Sequence, residues 1–498
     1  MKSKVNRLVL PTIALSLMTV MSAVAGLNMA LPKIAVDIDA SQTELTWIVD
    51  SYTVIFAGLL LLSGAISDKY GRQRILLAGL SVFAIGAAIG YFQTSAEGLI
   101  FARVVMGIGA AAIMPSTLSV ITTSFPAEER GKAIGVWVGV AGGGAVLGLF
   151  GTAFLMEWFT WNSFFALNLT LGLISILGTL RVPNSKDEGL ARLDWLGGLL
   201  SVLGVGALVF GIIEGPELGW YSTETISGLV TGGASLILFV IWEFRVTHPL
   251  LDPRLFKNRG FASGSLSITI QFFAQFGFIF VGMQYLQFVA GFSPLEAATH
   301  LLWMPLVVLP GSRLAGVLAK RIPQKFLGAA GLSLFGFAMF HFAGLPREFD
   351  YWYFTTGILI FGSGLALAAT PATLAITAAL PASKQGVASA VNDTSREVGS
   401  ALGIAILGAL MTDTYKAEMS KHTTDLPENV AEKLEKSVAF TQMTPPKPFA
   451  SIWNQLVEDG LTSFTLGVQS SLTVAGWVSI LGAVCVLALA PNKVAEVK

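Results

Sequence analysis

The sequence is short of charge and almost free of cysteine. Only 12% of its 498 residues are charged, about half of the roughly 25% typical of soluble domains. Cys485 is the only cysteine, which excludes a disulfide framework and a cysteine-based zinc site. The four histidines lie far apart without ligand spacing, so no metal site is predicted. Basic and acidic residues number 31 each, which gives no basic excess for nucleic-acid binding.

Signature motifs of enzymes and of ATP-driven pumps are also absent. The chain has no H-E-x-x-H zinc motif, no G-x-S-x-G turn with a plausible triad, and no G-x-x-x-x-G-K-[ST] phosphate loop. The sequence therefore predicts neither an enzyme nor a pump that hydrolyses ATP, and it predicts no cofactor.

Long apolar runs take the place of this missing polar material, since 53% of the residues are hydrophobic. A helix needs about 20 mostly apolar residues to cross a bilayer. Fourteen runs meet this condition, which predicts an all-α integral membrane protein. The runs are 8–30, 46–66, 75–93, 98–121, 133–155, 163–181, 194–214, 224–243, 262–289, 297–318, 326–345, 351–379, 387–412 and 466–490.

The basic residues predict the orientation of these spans. With the N-terminus inside, the inner segments hold 21 Lys and Arg, the outer segments hold 7, and 3 lie within spans. Because inner loops are enriched in Lys and Arg, both termini are predicted to be cytoplasmic. The lipid bilayer is an expected partner of these spans.

A charged motif lies between the second and third spans. A glycine there permits a tight turn, and the acidic and basic side chains can form a latch that holds one conformer. The motif resembles the signature of the major facilitator superfamily, G-x-x-x-D-[RK]-x-G-R-[RK]. Its residues in this chain are Gly64, Asp68, Lys69, Gly71, Arg72 and Arg74. Gly64 is expected to allow close helix approach.

Three further stretches agree with this resemblance. Residues 99–109 are similar to the superfamily's fourth helix, which carries an intramembrane Arg, here Arg103. Residues 47–52 open the second span as in the drug:H+ antiporter branch with 14 helices, the QacA-like exporters. Residues 388–399 resemble the thirteenth helix of that branch, where acidic residues recur.

The resemblance implies a major facilitator fold with two six-helix bundles, 1–181 and 259–498, separated by a two-helix insertion, 182–258. It also implies proton-coupled export of lipophilic, often monocationic drugs, dyes or antiseptics by alternating access. The partners that it implies are protons and a lipophilic small molecule, with the chain acting as a monomer in a plasma membrane of bacterial type. The alternative is a dedicated exporter of an endogenous metabolite or lipid-like compound. Ala23 stands where this branch usually carries an Asp, which predicts fewer protonation sites and poor handling of dications.

Ionisable residues inside the spans are the candidates for proton coupling, because a charge in hydrocarbon costs about 2.5–3.5 kcal/mol on insertion scales. Asp50 and Arg103 lie at similar depths and are predicted to face each other. They would form either a permanent ion pair or a pair that opens when Asp50 takes a proton. Asp393 and Glu397 share a helix face and are further candidates, although pairing of Asp393 with Arg396 or Arg313 is the alternative.

Amides and aromatic side chains are the candidates for binding a flat lipophilic cation, through stacking and cation–π attraction. The alternative is that the aromatic residues face lipid. The predicted residues are Gln271, Phe272, Gln275, Phe276, Trp137, Trp303, Met304 and Asn392.

The outer segment 413–465 is the longest polar stretch, and it contains an amphipathic run from Leu426 to Phe440. The sequence leaves two alternatives open. The segment is either a solvated loop with one or two short helices, or a lid or partner-docking element.

Overall fold

The structure is a computed structural model that describes residues 8–186, 193–318, 321–380, 385–443, 445 and 449–491. Side chains are described throughout these ranges except at 127–132, 134–135, 138, 141–143 and 385–386. Within these limits the chain forms helices and no strand. An all-helical chain suits an apolar sequence, because each helix satisfies its own backbone polar groups.

Seventeen α-helices are described. They are α1 Val9–Ala25, α2 Leu31–Asp37, α3 Gln42–Tyr70, α4 Arg72–Tyr91, α5 Ala96–Ser124, α6 Ala127–Leu155, α7 Ser163–Thr179, α8 Trp195–Leu218, α9 Thr223–Glu243, α10 Arg259–Gln284, α11 Pro294–Thr299, α12 Trp303–Leu318, α13 Gln324–Phe342, α14 Tyr351–Ala378, α15 Gln385–Thr423, α16 Glu428–Lys436 and α17 Trp453–Leu489. A π-helical turn, Tyr285–Val289, extends α10.

Each of the fourteen predicted runs lies on helical segments. Among the described residues, twelve segments are long and apolar enough to cross a membrane. Two further apolar stretches, Gly144–Leu155 and Ser163–Thr179, are shorter. The prediction of a helical multi-span protein is therefore confirmed.

The predicted ends of the last two spans are wrong by a large margin. Helix α15 continues beyond residue 412 to Thr423, and α17 begins at Trp453 rather than at residue 466. Hydropathy marks only the apolar part of a helix, so the polar turns at these ends were not recognised. Much of the predicted outer loop is consequently helical.

The chain divides into two compact units. The first contains Met1–Ala30, Trp47–Leu208 and Thr231–Asp252. Its helices approach closely where small residues meet: a Cβ on Gly109 would come within 2.6 Å of the carbonyl oxygen of Gly79. The helical hairpin of α8 and α9 is packed in the same way, because a Cβ on Gly232 would overlap the backbone of Leu208.

The second unit contains Leu31–Thr46, Val209–Val230 and Pro253–Lys498. Within it α15 lies directly against α10. A Cβ on Gly399 would overlap the carbonyl oxygen of Thr269, and a Cβ on Gly403 would overlap that of Phe273. Because backbone atoms on a packed helix cannot move aside, these two glycines fix the distance between α10 and α15.

The segment predicted to lie outside contains a short amphipathic helix. Helix α16 buries Val430 and Leu434, and the following turn buries Val438 and Phe440. The amphipathic run predicted here is therefore confirmed. The polar face of α16 is exposed, so both alternatives, a solvated loop with one or two short helices and a lid or partner-docking element, stay predictions.

Ion pairs line the polar face of α16. The Lys433 ammonium lies 2.6 Å from the Asp39 carboxylate, on the loop after α2. The Lys436 ammonium lies 2.9 Å from Glu432 of the same helix and 4.0 Å from Glu217. The hydrogen bond to Glu432 raises the pKa of Lys436 above its ordinary value. These pairs are exposed to solvent, so each contributes little to stability.

Replacing Gly403 with Ala tests the packing of α10 against α15. The added methyl group overlaps the carbonyl oxygen of Phe273, so we expect a loss of about 1–3 kcal/mol and a lower melting temperature in detergent. Gly233→Ala on α9 is the control, because no atom lies within 4 Å of its Cβ position. Equal melting temperatures for the two variants would contradict this packing.

Candidate functional site

Four polar residues occupy two turns of α15 and form what we call the α15 cluster: Asn392, Asp393, Arg396 and Glu397. Their spacing puts them on one side of the helix, as the sequence predicts. Asp393 is 5% exposed and Glu397 is 4% exposed. Arg396 Nη1 lies 3.9 Å from Asp393 Oδ1, so the alternative of an Asp393–Arg396 pair is present at long range.

Glu397 is the unpaired member of the α15 cluster. Its Oε2 atom is buried and has no hydrogen-bond partner among the described residues. Its nearest charges are the negative Asp393 and the positive Arg396. A buried carboxylate without a partner is costly, and a bound proton removes most of that cost.

The guanidinium of Arg396 bridges α15 and α10. It lies over the ring of Phe272, 5.3 Å from the ring centroid. With the Asn392 amide oxygen turned towards it, that oxygen accepts hydrogen bonds from Nε at 3.2 Å and from Nη2 at 3.3 Å. Aromatic face, amide oxygen and carboxylate therefore surround one cationic group.

The α10 side of this site is aromatic and amide-bearing. Phe272 stacks on Phe276 with ring centroids 5.8 Å apart and an interplanar angle of 22°. Gln271 is fully buried, and its amide nitrogen donates to the carbonyl and hydroxyl oxygens of Ser267, each at 3.0 Å. Its amide oxygen has no partner. Gln275 is half-buried one turn further on.

In the first unit, Arg103 is fully buried, and each of its three guanidinium nitrogens donates a hydrogen bond. Its guanidinium donates to the carbonyl oxygens of Ala23 and Ile48 at 3.0 Å and of Val49 at 3.2 Å. It also lies over the ring of Tyr52, 4.2 Å from the centroid. The carbonyl of Ala23 thus serves as an acceptor at the position where an Asp was expected.

Asp50 is fully buried beside Arg103 but is not bonded to it. Neither carboxylate oxygen of Asp50 accepts a hydrogen bond from a described residue. Arg103 attracts this carboxylate electrostatically, while its donors point to the three carbonyl groups. The two residues interact electrostatically without a hydrogen-bonded ion pair, and the bonds from Arg103 to the carbonyls of Ile48 and Val49 hold α5 to α3. Opening of this pair on protonation of Asp50 stays a prediction.

The charged motif covers the end of α3, the turn at Gly71 and the start of α4. Gly71 has φ = 115°, a conformation that favours glycine. The Arg72 side chain pairs with the Asp68 carboxylate at 2.8 Å, and its backbone N–H donates to the carbonyl of Ser185 at 2.9 Å. The close approach predicted at Gly64 is not found, since a Cβ there would lie 3.5 Å from Pro115, an ordinary contact.

The remaining basic residues of the motif are Lys69 and Arg74. Arg74 is exposed, and the half-buried Lys69 lies 5.8 Å from the ring centroid of Tyr70. The docking of the turn on residues 184–185 was missed by sequence reasoning. A Cβ on Gly71 would come 2.7 Å from Asn184, but no residue-type signal in that polar stretch indicates the contact.

The other predicted binding residues lie on helices other than α10 and α15. Trp137 is buried on α6 in the first unit and donates its indole N–H to Thr117. Trp303 begins α12, is 37% exposed, and bonds the Tyr351 hydroxyl at 3.0 Å. Met304 follows it and is half-buried. The exposed position of Trp303 matches the alternative of an aromatic residue that faces lipid.

The described residues contain no group of three or more metal-binding side chains. The groups that the site presents are buried carboxylates, a cationic side chain and an aromatic face. Such groups can bind an organic cation or exchange a proton.

The sequence matches the Major Facilitator Superfamily over residues 13–404. It is 34% identical over 399 residues to the multidrug resistance protein Stp of Mycobacterium tuberculosis (strain CDC 1551 / Oshkosh). The aligned region covers 79% of this chain and 74% of that protein. The sequence is 31% identical over 473 residues to the multidrug efflux pump LfrA of Mycolicibacterium smegmatis, covering 93% and 92% of the two chains.

The fold is also similar to solved structures. A bacterial homologue of the human lysosomal transporter Spinster aligns with a TM-score of 0.66 over 96% of this chain and 97% of that chain. The sequence identity is 16%, so this comparison concerns the fold alone.

Replacing Arg103 with Lys tests the bonding of the buried guanidinium. A lysine keeps the charge but cannot reach three carbonyl groups with a planar fork. Because hydrogen bonds from charged groups contribute about 1.5–3 kcal/mol each, we expect a melting temperature in detergent well below that of the parent. The matched control is Arg313→Lys, at an exposed position on α12, which should change nothing. An unchanged melting temperature for Arg103→Lys would mean that these bonds do not stabilise the first unit.

Proposed function

Because the chain belongs to the major facilitator superfamily, a family of membrane transporters, we propose that it exports lipophilic, often monocationic drugs, dyes or antiseptics in exchange for protons by alternating access. The names of its relatives Stp and LfrA, a multidrug resistance protein and a multidrug efflux pump, support drug export. Proton coupling is inferred from the family and from the buried carboxylates.

The observation that carries this proposal is the setting of Glu397. Its buried, unpartnered carboxylate oxygen lies on the same helical face as Asp393 and Asn392, and Phe272 faces Arg396 of this cluster from α10. A carboxylate in such a site is stabilised either by a proton or by an organic cation. Competition between these two ligands for one site is sufficient to couple their movements.

Each cycle exchanges a proton for a cargo molecule. In the inward-open state the proton leaves the α15 cluster for the cytoplasm, and a cation enters. In the outward-open state the cation leaves and a proton returns to the carboxylate. Each turnover carries a proton inward and a cargo molecule outward, and each unit of pH difference supplies about 1.4 kcal/mol per proton.

Asp50 supplies a second proposed proton site. It is buried, has no hydrogen-bond partner, and lies in the attractive field of Arg103. Arg103 is a fixed neighbour because three backbone carbonyls bind it, two of them on α3 beside Asp50. A change in the access of water to Asp50 between the two open states would change its affinity for a proton, since desolvation disfavours the charged carboxylate.

The proposed topology has fourteen membrane-spanning helices with both termini in the cytoplasm. Twelve candidate spans, together with the apolar parts of α6 and α7, supply this number. The excess of Lys and Arg on the predicted inner side supports the orientation. We assign residues 1–181 and 259–498 to the two bundles and residues 182–258 to the insertion. The chain would act as a monomer, without a cofactor.

A dedicated exporter of an endogenous metabolite or lipid-like compound is the second candidate function. The observation that favours it is Ala23, which leaves α1 without an acidic side chain beside Arg103. A less acidic cavity is suited to neutral cargo.

Gradient-driven efflux of ethidium from proteoliposomes tests the first candidate. We expect efflux by the parent protein only when a pH gradient is imposed, and loss of that dependence in Glu397→Gln and Asp50→Asn, which cannot exchange a proton at these positions. Glu157→Gln is the control, because Glu157 is exposed and lies outside both sites. Absence of ethidium movement in every folded version would instead favour the metabolite exporter.

A further inference from the structure

Arg396 occupies the place that a cationic cargo would need. Its guanidinium lies on the face of Phe272, 3.9 Å from the Asp393 carboxylate and within hydrogen-bond distance of the Asn392 amide oxygen. An aromatic face, a carboxylate and an amide oxygen are the groups that recognise a flat organic cation. The site therefore already holds a cation that belongs to the protein.

We propose that Arg396 is a resident cation that fills the cation subsite of the exporter, and that a cationic cargo binds by displacing its guanidinium from Phe272. This inference rests on the proposed export function. It assigns Arg396 the role of a specificity-determining residue, because its positive charge beside Asp393 and Glu397 limits the charge that a cargo can bring.

Arg103 and Arg396 differ in how they are held. Arg103 is fully buried, and backbone carbonyls bind it at 3.0–3.2 Å. Arg396 has a side chain that is 20% exposed and no backbone acceptor among the described residues. Its polar partners are side chains of its own helix, at 3.2–3.9 Å. Because these contacts are long and none of them is to the backbone, displacing this guanidinium costs less than displacing that of Arg103.

Charge balance then determines which cargo fits. The displaced guanidinium stays on α15, so its charge still offsets one of the two carboxylates, Asp393 and Glu397. A monocation at Phe272 offsets the other, whereas a dication adds one uncompensated positive charge and a neutral compound leaves one carboxylate uncompensated. Resident Arg396 therefore favours monocations, in a site whose two acids would otherwise accept a higher charge.

Equilibrium binding of ethidium to the purified full-length protein in detergent tests this inference. Arg396→Gln empties the subsite, so we expect ethidium to bind about tenfold more tightly than to the parent, the factor that one released cation–π contact supplies. The binding of a dication such as methyl viologen should strengthen further than that of ethidium. An uncharged phenanthridine also stacks on the freed ring but gains nothing from the lost positive charge, so its binding should strengthen less than that of ethidium.

The Phe272→Leu variant separates displacement from a structural role, because its guanidinium has no ring to occupy. In Phe272→Leu, the further change Arg396→Gln should strengthen ethidium binding much less than the same change does in the parent protein. Arg396→Lys guards against poor folding, because it keeps the charge. Its ammonium prefers water to an aromatic face, and we expect ethidium to bind it more tightly than the parent.

The outcomes distinguish this inference from the proposed function. Ethidium binding that is unchanged or weaker in both folded Arg396 variants overturns the resident-cation role and leaves drug export intact. Absence of ethidium binding in the parent and in every folded variant overturns the proposed function together with the inference. Tighter binding that does not depend on Phe272 also overturns displacement from the ring.

Discussion

The cost of burying charge is the constraint on which the rest of this structure depends. Few charged side chains lie inside the spans, and they have two kinds of surroundings. The charge of Arg103 is stabilised by three carbonyl oxygens and an aromatic ring around its guanidinium. Asp50 and Glu397 are left with buried oxygens that have no partner. The first arrangement is permanent, whereas the second is stabilised only when a ligand arrives. We interpret that contrast as the difference between structural and coupling charges.

Close helix contact makes the second arrangement possible. Gly399 and Gly403 bring α15 against the backbone of α10, and this contact sets Phe272 opposite Arg396. A wider spacing would leave the guanidinium without its aromatic face and the carboxylates open to water. The same packing principle joins α4 to α5 and α8 to α9 in the first unit. Small residues thus determine where the polar residues meet, although they take no part in binding themselves.

The sequence predicted the parts of this structure that depend on periodic or local signals. Apolar runs predicted the helices, and the spacing of Asp393 and Glu397 predicted their shared face, because both follow from helix geometry. The acceptors of Arg103 could not be predicted, since a backbone carbonyl has no residue type. The polar extensions of α15 and α17 were missed because hydropathy falls before the helix ends. Trp303 was grouped with the binding residues on residue type alone, and its exposed position depends on how α12 packs.

The central claim is that protons and cargo move in opposite directions through one cycle. Its most direct test reverses the usual experiment and lets cargo drive protons. Proteoliposomes would carry the parent protein, a pH-sensitive dye in the lumen, a lumenal load of a lipophilic monocation and no imposed pH gradient, with the voltage clamped by potassium and valinomycin. The account predicts that the lumen becomes acidic as the monocation leaves. Departure of the monocation through the protein with no change in lumenal pH would contradict proton exchange.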